Sequence, residues 1–148
     1  MSQTGQVQQK PLPAPSDLAR PFWAALKRGE LHLQRCVACG HTNHPPLIIC
    51  PRCHGRALEW VPVATTGTVY SYTIVYRPPM PVFRPEVPYG VGLVDIDGTD
   101  ARMLSNILGP VGELHVGMRV ELVFETASDD ITLFKFKALQ PAAQEEVQ

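Results

Sequence analysis

Two closely spaced cysteine pairs constrain this chain of 148 residues more than any other feature. Cys36 and Cys39 form the first pair, Cys50 and Cys53 form the second, and together they are all the cysteines of the sequence. Two intervening residues allow both sulfurs of a pair to face one ion from a tight turn, and the short gap between the pairs allows all four to share it. Zinc prefers such a tetrahedral set of thiolates. The spacing therefore predicts a structural Zn²⁺ site with no coordination position left for water or substrate.

Iron in a rubredoxin-like site, or disulfide and redox use of the thiols, are the alternatives to zinc. Disulfides need an oxidising compartment, and residues 1–10 are polar and glutamine-rich with no apolar stretch typical of a signal peptide. The sequence also contains no apolar run of about 18 residues that would span a membrane. We therefore expect zinc, a cytoplasmic protein and no membrane partner. His41, His44 and His54 flank the cysteines, and we expect them to be solvated or to lie around the site rather than to bind the ion.

The N-terminal region is predicted to be a disordered tail over residues 1–15 and a short helix over residues 16–30. Phe22 and Leu26 fall on one face of that helix, with Trp23 at its edge. These large apolar side chains can pack within the chain or be covered by another protein. Because exposed aromatic residues are unfavourable in a monomer, the partner interface is the favoured interpretation for Phe22, Trp23 and Leu26.

The rest of the chain is predicted to be mainly β. Residues 31–63 read as a zinc ribbon of three extended runs around the cysteine pairs, and residues 64–139 as five strands joined by turns. Glycines inside the second of these five strands are typical of a barrel bend, which favours a five-stranded OB-fold barrel over a plain sandwich. Residues 140–148 are a polar tail. The predicted fold class is thus an N-terminal helix, a rubredoxin-like zinc ribbon and an OB-fold barrel.

The charge distribution argues against nucleic acid as the main ligand. The net charge is −1, and residues 61–148 carry six Lys and Arg against eleven Asp and Glu. Zinc ribbons and OB barrels often bind single strands, and Tyr70, Tyr72 and Tyr76 could stack on bases, although they could equally fill the barrel. Single-stranded nucleic-acid binding is therefore kept only as an alternative function.

No catalytic constellation is visible in the sequence. The cysteines are committed to a metal, and Ser105 has no recognisable base. His115 lies in a predicted loop, and Asp95 and Asp97 lie beside a turn, where solvated side chains are usual. We therefore expect the chain not to be catalytic alone, and an enzyme in its own right is the least favoured reading.

The order of its motifs resembles the acyl-CoA-associated zinc-ribbon/OB-fold family, long filed as a domain of unknown function. The matching segments, which extend over about Ser16 to Leu139, are Phe22-Trp23, Leu33-Gln34-Arg35-Cys36, Cys39-Gly40, Pro45-Pro46, Cys50-Pro51-Arg52-Cys53, Glu59-Trp60, Gly67 to Thr73, Pro88-Tyr89-Gly90 and Gly117-Met118-Arg119-Val120. One departure is His54, which stands where many members place glycine. We expect it to alter the second cysteine turn slightly, with Gly55 compensating.

This resemblance implies a non-catalytic accessory subunit in CoA-ester metabolism. Such proteins are companions of thiolases and thiolase-like aldolases, and some relatives are linked to hydratases, with the catalytic residues on the partner. The implied role is to dock on that partner and help to form its acyl-CoA channel. Five arginines are candidates to meet the CoA phosphates: Arg35, Arg52, Arg56, Arg77 and Arg84.

Overall fold

The computed structural model describes residues 9–140, and within them it contains one α-helix and eight strands. In chain order these are α1 (Arg20–Lys27), β1 (His32–Cys36), β2 (Thr42–Asn43), β3 (Leu58–Pro62), β4 (Thr66–Val75), β5 (Tyr89–Ile96), β6 (Arg102–Leu108), β7 (Arg119–Thr126) and β8 (Thr132–Ala138). The first three strands form a sheet in the order β2-β1-β3, and the last five close a barrel in the order β4-β5-β6-β8-β7. The predicted ribbon and five-stranded OB-fold barrel are confirmed, and the closed barrel excludes the open sandwich.

The short helix begins and ends at residues that favour helix termini. Pro21 occupies the first turn, where its missing N–H would have had no partner in any case. A 3₁₀ turn precedes the helix, and the hydroxyl of Ser16 accepts a hydrogen bond from the N–H of Ala19 at 3.3 Å. Gly29, with a φ of +75°, follows the last helical residues.

The apolar face of α1 packs within the chain rather than facing a partner. Phe22 is 3% exposed and Leu26 is 1% exposed, and both belong to the same hydrophobic core as the inward-facing residues of the barrel. Trp23 is half-buried against that core. The expectation that Phe22 and Leu26 form a partner surface is therefore corrected: the barrel supplies the cover that the helix needs.

Four rings join the helix, the ribbon and the barrel, and we call this set the aromatic junction: Phe22, Trp23, His44 and Phe134. The Phe22 centroid lies 5.1 Å from that of His44 and 5.6 Å from that of Phe134, and the second contact is edge-to-face. Trp23 completes the set at 5.4 Å from Phe22. Because α1, the ribbon loop and β8 each contribute a ring, the junction fixes the three parts against one another.

Burial in the aromatic junction changes the chemistry of His44. Desolvation lowers the pKa of this imidazole to about 4, because the charged form loses its hydration there. His44 is therefore a neutral packing residue, and of the two expected places for this side chain, in solvent or around the cysteine site, burial rules out the first.

Polar contacts hold the ribbon against the β5–β6 turn of the barrel. The Thr42 hydroxyl accepts a hydrogen bond from the N–H of Asp100 at 2.7 Å, and His41 Nδ1 lies 3.0 Å from the Asp100 carboxylate. Beside them, Arg119 binds both carboxylate oxygens of Asp97 at 2.8 and 2.5 Å. Together with the Thr66 hydroxyl, which donates to Asp97 at 2.6 Å, this lowers the pKa of Asp97 to about 2.

Glycine occurs at two barrel positions where a side chain would be too close to its neighbours, once to the backbone of a paired strand and once to a side chain. A Cβ on Gly67 would lie 2.4 Å from the carbonyl oxygen of Asp95 in the paired strand β5. A Cβ on Gly92 would lie 2.4 Å from the side chain of Ile107, which fills the barrel interior. These contacts explain why the strands carry glycine where a β-branched residue would otherwise be favoured.

We expect Gly67→Ala to destabilise the protein by about 2–3 kcal/mol, because the new methyl group collides with backbone that cannot move freely. Gly112→Ala is the matched control, since a Cβ there has no atom within 4 Å and φ is not in the left-handed region. Urea unfolding measures both variants. Equal stabilities of the two would contradict the close approach at Gly67.

We expect His44→Phe to remove part of the acid sensitivity of the fold. The folded-state pKa of His44 is lowered, so its contribution is complete above about pH 6.5 and is lost as the pH falls from 6.5 towards 4. Complete loss of this contribution lowers the free energy of unfolding of the wild type by about 3 kcal/mol. The unfolding free energies of the wild type and His44→Phe are measured from pH 7.5 to 4.5, and the difference between them is compared at each pH. Protonation of the cysteines affects both proteins and therefore cancels in this difference. A difference that does not change with pH would contradict the assignment.

Candidate metal centre and barrel cleft

The two cysteine turns have the same backbone design. In the first, the N–H of Gly40 donates to the carbonyl of Cys36 at 2.8 Å, and in the second the N–H of His54 donates to the carbonyl of Cys50 at 2.9 Å. Each turn thus folds the backbone so that the two cysteines of a pair face the same point. The ribbon strands bring the two turns together, because β1 ends at Cys36 and pairs along its length with β3.

The four sulfur atoms form a compact cluster that fits a zinc ion. All four Sγ atoms lie within 4.8 Å of one another, with Cys36 at 3.5 Å from Cys53 and Cys39 at 3.6 Å from Cys50. Zn–S bonds of about 2.3 Å in a regular tetrahedron place sulfurs about 3.8 Å apart. A disulfide would need about 2.0 Å, so the cysteines are free thiols in this arrangement. The structure brings the four predicted metal ligands together as one group, and the donor set is that of a structural zinc site.

The electrostatics of the cluster favour a cation. Burial opposes ionisation of the Cys50 thiol, but the backbone N–H groups of Cys53 and Arg52 outweigh it and lower its pKa to about 6. At Cys53 the N–H of Gly55 favours the thiolate, yet the sulfurs of Cys36 and Cys39 raise its pKa to about 12. Four thiolates so close together repel one another, and a divalent cation removes that repulsion.

His54 takes the left-handed backbone conformation that the second turn requires. Its φ is +61°, and Gly40 at the equivalent position of the first turn has a φ of +76°. The substitution therefore leaves the turn unaltered, and the strain stays at His54 itself. Gly55 has a different role from the one expected: a Cβ there would lie 3.2 Å from Cys53 Sγ, so glycine makes room for the sulfur cluster.

The five candidate arginines lie on two different parts of the fold. Arg35 belongs to β1 and binds Glu59 of β3 at 2.7 Å, while Arg52 follows Cys50 and lies 3.9 Å from Asp100. Arg56 is exposed on the ribbon as well. Arg77 and Arg84 are exposed on the β4–β5 connection, and neither makes an ion pair within residues 9–140. The structure therefore does not gather the five into one site.

The described residues contain no paired nucleophile and base among the candidates that the sequence offered. The Ser105 hydroxyl donates to the carbonyl of Phe134 at 2.6 Å, and His115 Nδ1 lies 2.9 Å from the carbonyl of Glu113. Asp95 is bound by Arg102 at 2.6 Å. Each group is thus occupied by a structural contact.

A cleft on the outside of the barrel was not foreseen from the sequence. It has a volume of about 870 Å³, and it is lined by Tyr89, Val91 and Leu133 of the barrel and by the N-terminal segment of residues 9–13. We call that segment the strap. Its Lys10 forms an ion pair with Glu86, in the 3₁₀ helix Pro81–Glu86, and lies 5.8 Å from the ring centroid of Phe83. This part of the predicted disordered tail is therefore in contact with the barrel, whereas residues 1–8 lie outside the described part.

The three tyrosines of the β4 region face solvent instead of filling the barrel. Tyr70 is 52% exposed and Tyr76 is 67% exposed, with Tyr72 between them also exposed. The guanidinium of Arg102 lies 3.3 Å above the Tyr70 ring, a cation–π contact that covers one face of that ring.

The described part of the chain contains no helix long and apolar enough to cross a membrane.

Two family models match this arrangement of ribbon and barrel. Residues 23–59 match the rubredoxin-like zinc ribbon domain of ChsH2, and residues 60–125 match its C-terminal OB-fold domain. A DUF35 domain-containing scaffold protein of Methanothermobacter thermautotrophicus is 30% identical, over 75% of this chain and 86% of that protein. The chain belongs to the DUF35 family. The resemblance expected from the motif order is thereby confirmed.

Other relatives carry the names of subunits of enzymes that act on CoA esters. The benzoylsuccinyl-CoA thiolase subunit BbsA of Thauera aromatica is 29% identical over 80% of this chain and 74% of that protein. A probable enoyl-CoA hydratase alpha subunit of Thermomonospora curvata is 38% identical, and the match covers 93% of this chain but only 44% of that protein's length. Among solved structures, a chain of the Ltp2-ChsH2(DUF35) aldolase is similar with a TM-score of 0.75 and 35% identity, covering 86% of this chain and 98% of that one.

We expect His54→Gly to stabilise this DUF35 protein by about 1 kcal/mol, because glycine adopts the left-handed conformation without steric cost. Gly40→Ala should have the opposite effect at the equivalent position of the first turn. Thermal unfolding of the zinc-loaded proteins, with zinc content measured in parallel, tests both changes. A destabilised His54→Gly with full zinc would show that the imidazole contributes a contact that outweighs the strain.

Proposed function

We propose that this chain is a non-catalytic accessory subunit that docks on a thiolase or thiolase-like aldolase and helps to form its acyl-CoA channel. The observation that carries the proposal is the closed four-cysteine site in a fold whose candidate catalytic groups are all held by structural contacts. Such a protein can position, cover or complete a site, and the hydroxyl of Ser105, its candidate nucleophile, is bound to the carbonyl of Phe134. The thiolase-subunit and aldolase names of its relatives support a partner of that class.

The ribbon presents apolar side chains that suit a docking surface. Ile48 is 73% exposed and Val37 is 60% exposed, and both lie next to the cysteine turns. Leu47 is also exposed beside Ile48. A metal-held turn keeps the backbone that carries these side chains rigid, so little conformational entropy is lost when a partner covers them. With Phe22 and Leu26 buried, the ribbon turns are a better candidate interface than α1.

The exposed arginines are the groups of this chain that could meet the phosphates of CoA. Arg35 already binds Glu59, and Arg52 lies 3.9 Å from Asp100. Arg56, Arg77 and Arg84 lie outside the ion pairs of the described residues, and two of these three, Arg77 and Arg84, share the β4–β5 connection. Guanidinium groups bind phosphate through charge-assisted hydrogen bonds. We therefore place the CoA-facing side of the chain at the β4–β5 connection.

Co-expression with a thiolase or thiolase-like aldolase of the same organism tests the proposal. We expect the two to co-purify, and we expect kcat/KM for the acyl-CoA substrate to exceed that of the thiolase alone by about tenfold or more. Cys36→Ser should abolish co-purification by unfolding the ribbon. Ile48→Glu should weaken association while zinc content and fold are retained, and Val116→Glu, a similarly exposed position on the barrel side, is its control. A fully active thiolase that does not bind this chain would exclude the accessory role.

Single-stranded nucleic-acid binding is a second candidate, favoured by the exposure of Tyr70 and Tyr76. The contacts of Arg102 argue against nucleic-acid binding. Its guanidinium covers one face of the Tyr70 ring, on which a base would have to stack, and its charge is already paired with Asp95. Fluorescence titration with oligonucleotides at low salt should show no saturable binding. Tight binding that weakens steeply with salt would revive this candidate.

A further inference from the structure

The β5–β6 turn of the barrel touches both cysteine turns of the ribbon through one side chain. The same carboxylate oxygen of Asp100 lies 3.0 Å from His41 Nδ1 and 3.9 Å from the guanidinium of Arg52. His41 follows the first cysteine pair by two residues, and Arg52 lies inside the second pair. Asp100 is therefore a point at which the barrel meets both halves of the metal centre.

Each of these two ribbon residues is also bonded to a cysteine through its backbone. The carbonyl of His41 accepts a hydrogen bond from the N–H of Cys36 at 2.8 Å. The backbone N–H of Arg52 donates a hydrogen bond to the sulfur of Cys50. A shift of either cysteine turn therefore moves a residue that contacts Asp100.

The β5–β6 turn is stabilised on its barrel side and on its ribbon side. The hydroxyl of Thr99 donates to the carbonyl of Ile96 at 3.0 Å and accepts from the N–H of Ala101 at 3.0 Å. The N–H of Asp100 donates to the hydroxyl of Thr42, a residue that is only 7% exposed. Because the acceptor of this last bond belongs to the ribbon, the environment of Asp100 depends on how the ribbon is held.

The two ends of the ribbon are attached to the rest of the chain by different forces. Leu31 and Leu33 belong to the same hydrophobic core as the barrel interior, so their end of the ribbon is attached by apolar burial. The cysteine end meets the barrel through the polar contacts of Asp100, and partly exposed ion pairs contribute little net stability on their own. These contacts persist only while both cysteine turns are held in position, which is what a structural metal does.

We propose that zinc binding and docking of the cysteine turns on the β5–β6 turn are coupled through Asp100, which acts as a positioning residue of the metal centre. When the four cysteines share a metal ion, the backbones of His41 and Arg52 are fixed, and their contacts with Asp100 are favoured. By thermodynamic linkage, the same contacts strengthen metal binding. Loss of the metal releases the cysteine end from the barrel and leaves the Leu33 end attached. This inference does not depend on the accessory role proposed above.

The zinc affinity of the full chain, measured by competition with a chromophoric chelator, tests the coupling. Asp100→Ala removes the carboxylate, and we expect zinc to bind about three- to fivefold more weakly, the range for loss of a partly exposed ion pair. Asp95→Ala is the matched control, because it removes a carboxylate of the same hairpin that has similar exposure and is bound by Arg102. The control should bind zinc like the wild type. An unchanged affinity in Asp100→Ala, or an equal loss in both variants, would overturn the proposal.

Amide hydrogen exchange of the wild type, followed by NMR, provides a readout that a general loss of stability would not reproduce. When a chelator removes zinc, the amide of Asp100 should exchange about tenfold faster or more, because its acceptor Thr42 is no longer held in place. The amide of Val94, in strand β5 between β4 and β6, should keep its protection. Protection of Asp100 that survives zinc removal, or a loss at Val94 as large as that at Asp100, would overturn the proposal.

Discussion

The meeting of four cysteine sulfurs is the interaction on which the rest of this structure depends. Cys36 and Cys50 are buried, and each begins a turn that also sets the path of the chain on either side of it. The ribbon around them has only a two-residue strand, a five-residue strand and a second five-residue strand. So small a sheet cannot bury enough apolar surface to be stable alone, and a structural zinc ion supplies about 10 kcal/mol or more of folding free energy in comparable modules.

The aromatic junction fixes the metal-held ribbon relative to the helix and the barrel. Phe22, His44 and Phe134 come from the helix, the ribbon and the barrel, so the metal-held turns are oriented with respect to β8 as well as to each other. The proposed accessory role depends on such rigid placement, because a docking partner would then meet Val37 and Ile48 already in position. The same packing explains why α1 contributes to the core and not to an interface.

Local patterns in the sequence were sufficient for the metal ligands and for the order of the elements. These patterns are the cysteine spacing, the strand alternation and the barrel glycines, and each depends only on residues that are close together in the sequence. The structure confirms the ribbon and the barrel that they predict. Burial of Phe22 could not be predicted, because it depends on Phe134 lying 112 positions further along the chain. The strap was missed for the same reason: its proline-rich composition is typical of disorder, and its partner Glu86 is distant in sequence. The positive φ of His54 follows from the geometry of the turn, which the residue type alone does not reveal.

The central claim is that the four cysteines form a closed structural zinc site that supports surfaces and takes no part in chemistry. Zinc-edge X-ray absorption of the purified full chain tests it directly. The account predicts one zinc per chain with a single shell of four sulfurs at about 2.3 Å and no nitrogen or oxygen ligand. A shell that includes a light-atom ligand would mean an open coordination position, and would contradict the structural role assigned to the site.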